Sequence, residues 1–132
     1  MTQEHVRYFE VSKIPVTNKT LVLRYLENLD LLGRDAIITL MVSEELLLLG
    51  LEVRPFSPLN LIEAQVIARR AIINKSAGVI LAEVYRDSRP WPSQKIETAL
   101  LQQELRNCGL ALIDVLVFEQ KCVRSRAFPS GA

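Results

Sequence analysis

Histidine is almost missing from this chain. Its 132 residues include one, His5, close to the N-terminus. Chemistry that needs two imidazoles from one chain, as a metal centre or an acid–base pair, is therefore closed to it. Cysteine is nearly as scarce: Cys108 and Cys122 form no C-x-x-C pair, and nothing suggests a disulfide-rich secreted scaffold. No sign of charge dominates, because 16 basic residues face 15 acidic ones for a formal net charge of +1. That balance excludes a strongly basic nucleic-acid sponge and an acidic disordered tail, and leaves room for a local basic patch. Long apolar runs are missing too; the longest are strand-sized and broken by charge, short of the about 18–20 residues of a membrane span. Residues 1–10 are polar and hold no apolar signal core. The expectation is a cytoplasmic protein with no membrane partner.

What is present reads as one globular domain over residues 1–132. Hydrophobic residues make up 49% and charged residues 23%, and a chain of this length buries about two-thirds of its unfolded surface. Residues 6–16 form a short extended segment ending at Ile14-Pro15. Thr17-Asn18 can cap a helix over 19–32, whose stripe is Val22, Tyr25, Leu26 and Leu29, with Gly33 as its stop. Residues 36–42 are a β-branched apolar run, then Ser43-Glu44-Glu45 turns the chain into a second strand over 46–53, giving a hairpin. Ser57 and Pro58 predict the start of a helix over 58–75, with an apolar face of Ile62, Val66, Ile67, Ala71 and Ile73. Residues 78–85 read as a buried strand. Ser93 predicts the N-cap of a third helix lined by Ile96, Leu100, Leu101, Leu105 and Cys108 and ended by Gly109. Residues 110–118 and 122–126 read as strands, and about five N-terminal and six C-terminal residues should fray. The order β-α-β-β-α-β-α-β-β implies an α/β domain: a mixed, largely antiparallel sheet with helices on both faces, a three-layer α/β/α arrangement.

The segment that bears on chemistry is ILAEVYRDSRPWPSQKIE, residues 80–97. It resembles the JAMM (JAB/MPN) metalloprotease signature, in particular its RadC-like branch. There a glutamate on an earlier strand is followed by H-x-H, seven residues, a serine, two residues and an aspartate. Here the strand Val79-Ile80-Leu81-Ala82 is followed by Glu83 and Tyr85 at the histidine positions, by Ser93 at the serine and by Ile96 at the aspartate. The hairpin over 36–53 resembles the family's opening hairpin, with Glu52 nearest to its acidic general base. Residues 110–117 resemble an L-x-D-H-I-I-V strand, with Val115 at its histidine. The spacing is kept while the ligand types have changed. A catalytic zinc of this kind needs two imidazoles and a carboxylate, lowers the pKa of its water to about 7, and hands the proton to the glutamate. Ile96 has no donor atom, and a tyrosine of ordinary pKa about 10 is a poor ligand for Tyr85 to be. Zinc is therefore expected in active relatives and no cofactor here. A weaker alternative gathers a hard ion such as magnesium between Glu52, Glu83 and Asp114.

The other marked residues have plain structural explanations beside functional ones. In active relatives the serine at the Ser93 position helps to place the attacked carbonyl, but helix capping accounts for it. Arg86, Arg89 and Lys95 around Trp91 could hold phosphate or single-stranded nucleic acid, with Trp91 stacking a base; a solvated loop explains them as well. Arg69, Arg70 and Lys75 read as a solvated face near a helix C-terminus. Cys108 reads as a small buried residue, and neither thiol has a histidine to act as its base. Leucines on both faces of 46–51 are either covered within the domain or form a contact in a homodimer.

These readings imply a catalytically inactive, RadC-like JAB domain that binds or scaffolds a protein partner. Its vestigial positions are Glu52, Glu83, Tyr85, Ser93 and Ile96, and its binding residues Arg86, Arg89, Trp91 and Lys95. The competing expectations are a JAMM-type metal-dependent hydrolase with rearranged ligands, and a nucleic-acid-binding protein linked to DNA repair through the loop from Arg86 to Lys95.

Overall fold

A computed structural model describes residues 7–9, 11, 13–55, 59–86, 94–119 and 122–125. The elements run β1 (Arg7–Phe9), β2 (Ile14–Pro15), α1 (Lys19–Asn28), β3 (Ala36–Val42), β4 (Leu47–Pro55), α2 (Leu61–Ile73), β5 (Gly78–Tyr85), α3 (Gln94–Asn107), β6 (Ala111–Glu119) and β7 (Cys122–Ser125). The described residues form an α/β domain built on one mixed, seven-stranded sheet in the order β1-β4-β3-β5-β6-β7, with β2 also paired to β4. Only β5 and β6 run parallel among these pairs, joined through α3; the others are antiparallel.

The apolar runs became the centre of the sheet. Every residue of β3 and of β5 is buried, as a strand covered on both faces requires. Side-chain alternation divides the core into two clusters. Ile38, Leu40, Leu51, Val53, Ala82 and Val84 pack with Val22 and Leu26 of α1. Ile37, Met41, Leu81 and Val115 pack with Ala64, Ile67, Ala68 and Ala71 of α2 and with Leu101 and Leu105 of α3.

Several boundaries differ from the sequence expectation. The single extended segment over 6–16 is two short strands. Phe9 faces Leu51 and Ile14 faces Leu48, so the pairing slips by two residues between them and one continuous strand cannot form. Helix α1 stops at Asn28, not at Gly33. The backbone turns left-handed at Asp30 (φ 60°), and Leu31 N–H reaches Leu26 C=O at 3.0 Å, closing a Schellman motif over two buried leucines. Helix α2 is capped by Asn60, whose side chain accepts from Glu63 N–H while Glu63 reaches back to the Asn60 N–H. The expected caps Ser57 and Pro58 lie outside the described residues, as does Ser93 before α3. Ile62 and Ile73, expected on the buried face of α2, are exposed. The buried stripe is instead Ala64, Ile67, Ala68 and Ala71, spaced i, i+3, i+4, i+7. Cys108, expected in the core, is exposed at the end of α3. The fraying expected at the two ends falls on residues outside those described. No helix among the described residues is long and apolar enough to cross a membrane.

Candidate functional site

Strands β4, β3 and β5 bring three charged residues, Glu52, Arg54 and Glu83, onto one face of the sheet. Glu52 lies opposite Thr39, and Thr39 opposite Leu81; Arg54 lies opposite Ile37, and Ile37 opposite Glu83. Ile37 and Leu81 belong to the cluster under α2 and α3, so Glu52, Arg54, Glu83 and, two residues on, Tyr85 share that side. Two strand spacings and two residues along the strand separate Glu52 from Glu83, about 12 Å between their Cα atoms.

Glu52 is fully buried and held by arginines. Arg70 of α2 donates to its Oε2 at 2.8 Å, and the Arg54 guanidinium stands 3.6 Å from Oε1. Arg54 reaches on to Glu63 at 3.7 Å. The chain of charges Arg70–Glu52–Arg54–Glu63 ties the middle of β4 to both ends of α2 and sums to zero. A carboxylate in a low-dielectric interior needs such partners, and removing one of them leaves an uncompensated charge. The network is not fully hydrogen-bonded: Thr39 Oγ1, Glu52 Oε1 and Arg54 Nε are buried without a hydrogen bond, which makes it sensitive to any change of partner.

Glu83 and Tyr85 are adjacent side chains on the same face of β5. The Tyr85 hydroxyl donates to Glu83 Oε1 at 3.0 Å, and both residues are buried. Arg86 is exposed, and its backbone N–H donates to Asp35 Oδ1 at 2.6 Å, pinning the end of β5 to the segment before β3. Lys95 and Ile96 fall in the first turn of α3; their side chains, and all of Arg89, Trp91 and Ser93, lie outside the described residues.

The donor set does not fit a zinc of the JAMM type. Glu52 is taken up by two guanidiniums, Tyr85 donates its proton to Glu83, and Val115 sits in the core. Asp114 does not join the other acids. It lies opposite Ile80, three residues before the Glu83 partner Val117, and its Oδ1 accepts from Val115 N–H at 2.7 Å. Among the described residues no group of three or more His, Cys, Asp or Glu is placed to hold a metal ion.

Two members of the network, Arg54 and Arg70, were not singled out for it by the sequence reading, and Arg70 is more than a solvated residue of a helix end. The signal was present as spacing. Glu52 and Arg54 are two apart in an otherwise apolar strand, so they must share a face. Glu63 and Arg70 are seven apart, two turns along one side of a helix. The reading also missed a recess of about 850 Å³ near the end of α1, whose lining includes Arg7, Phe9, Leu31, Arg34 and Val53.

No protein-family model and no curated protein matches this chain.

Proposed function

We propose that this chain is a zinc-free, catalytically inactive relative of RadC-like JAB domains, and that it works in the cytoplasm as a binding or scaffolding module for a protein partner. The contact surface in this reading is the former cleft, with Glu83 and Tyr85 buried beneath it and Arg86 exposed beside it; Trp91 and Ser93, assigned to it from the sequence, lie outside the described residues. The observation that supports it is the state of Glu52. The residue nearest the general base of active relatives is buried and clamped by Arg54 and Arg70, a position from which a carboxylate cannot take a proton from a metal-bound water. Glu83 and Tyr85, at the histidine positions, are engaged with each other. A scaffold whose buried acids are taken up in internal pairs is suited to recognition by shape and surface charge.

The test is metal analysis of protein purified without chelators, together with an isopeptidase assay. The reading expects well under one divalent ion per chain and no turnover. One tightly held ion per chain, with turnover lost on Glu83→Ala, would establish the metal-dependent hydrolase instead. Binding of single-stranded nucleic acid that weakens steeply with salt and is lost on Trp91→Ala would replace the protein partner with a nucleic acid.

A further inference from the structure

Three polar atoms between the sheet and α2 converge without meeting. Thr39 lies directly opposite Glu52 on the β3–β4 pair, where facing Cβ atoms are about 4.5–5.5 Å apart. Arg54 stands two residues beyond Glu52 on β4 and so shares that face. Its guanidinium approaches Glu52, with Nη2 3.6 Å from Oε1. The three residues are 1%, 0% and 4% exposed, so bulk solvent does not reach them. Yet Thr39 Oγ1, Glu52 Oε1 and Arg54 Nε have no hydrogen-bond partner in the protein. The other oxygen of the same carboxylate gives the comparison, because Arg70 meets Oε2 at 2.8 Å.

Buried polar atoms are rarely left in this state, since each gives up its bonds to solvent on folding. A buried charged contact that stops beyond about 3.5 Å calls for a bridging molecule. The chemistry of the three atoms selects it. Arg54 Nε–H only donates, the Glu52 carboxylate only accepts, and the Thr39 hydroxyl does either. An anion would face the carboxylate and a cation the guanidinium, and the charges of Arg70, Glu52, Arg54 and Glu63 already cancel. A neutral molecule that both donates and accepts satisfies all three, and the closeness of the side chains limits it to the smallest such molecule. We propose that one ordered water is bound here, on the α2 side of β3 and β4. It accepts from Arg54 Nε–H, donates to Glu52 Oε1 and is bonded to the Thr39 hydroxyl. Three bonds are the usual complement of a buried water. The water completes the clamp on Glu52 and brings β3 into it, so that the network joins three elements of the fold. The site stands whether or not the chain is a relative of JAB domains, because it rests on strand pairing and charge alone.

A crystal structure of the full chain, refined with no solvent placed in the interior, tests it. The expected result is an isolated density peak within about 3.2 Å of all three atoms, lost or weakened in Thr39→Val. A direct hydrogen bond from Thr39 Oγ1 or Arg54 Nε to Glu52 Oε1, with no peak between them, overturns the proposal. Urea denaturation of Thr39→Val is read beside the density. Valine keeps the shape and the β-branch of threonine, so the variant isolates the hydroxyl. Removing an unpaired buried hydroxyl leaves the unfolding equilibrium constant unchanged or lowers it, whereas removing one held through water to a charged pair raises it. The expected result is a rise of at least about fivefold. An unchanged or lowered constant overturns the proposal.

Discussion

At the scale of the residue, single buried polar groups and close backbone contacts give sharp tests. Tyr85 and Glu83 share one hydrogen bond in the interior. Tyr85→Phe removes this one hydrogen bond to a buried charged group, so it should destabilise the fold by about 1–3 kcal/mol, measured by urea denaturation. A cost below about 0.5 kcal/mol would mean that the hydroxyl contributes nothing there. Gly78 makes a sharper case. A Cβ at that position would stand 2.7 Å from Ala111 C=O and 2.8 Å from Ile113 Cδ1. The nearest atom is backbone, so it cannot swing aside, and the parallel β5–β6 pair must open where it begins. Gly78→Ala should cost more than about 2 kcal/mol, where most surface glycine-to-alanine changes in a strand cost nothing.

At the scale of the element, legibility followed burial on two sides against burial on one. Strands β3 and β5 could be read from sequence because both faces are covered, so an unbroken apolar run had one meaning. Helix α2 was harder. Its isoleucines suggested a broad buried face, yet the sheet is met by a narrow stripe of alanines around Ile67, small enough for close approach, and the bulkier residues point away. Helix α3 is ended by Gly109 (φ 76°), as the sequence indicated, whereas the ends of α1 and α2 fall short of the sequence expectation. A glycine marks a stop in sequence, but Asp30 and Lys75 adopt left-handed φ of 60° and 59° because Leu31 and Ser76 complete the Schellman bonds beyond them. Lys75 is exposed, so Lys75→Gly should relieve that conformation and stabilise the protein by up to about 1 kcal/mol in thermal denaturation. In α1, burial raises the pKa of the Tyr25 phenol above 10.0. The neutral phenol is favoured by folding, so its contribution is fully present below pH 10 and is lost as the pH rises through the folded value. Tyr25→Phe should flatten that alkaline decline in stability while leaving the acid side of the curve in place.

At the scale of the molecule, the candidate site is assembled from strands far apart in sequence, which is why its members were only partly legible. Glu52, Glu83 and Tyr85 could be picked out by their place in a pattern. The partners that define what Glu52 does, Arg54 and Arg70, gain meaning only once β4 is laid under α2. The same packing sets α2 between two roles, one side closing the charge network and the other left apolar and exposed. The account rests on Glu52 being a structural partner of Arg54 and not a proton acceptor. A double-mutant cycle on Glu52→Gln and Arg54→Met, which keep side-chain volume and remove charge, measures that most directly by urea denaturation. The account predicts a coupling of about 1–3 kcal/mol, the double variant being less destabilised than the two singles together. Costs that add to within about 0.5 kcal/mol would contradict it, because two independent side chains do not form a clamp.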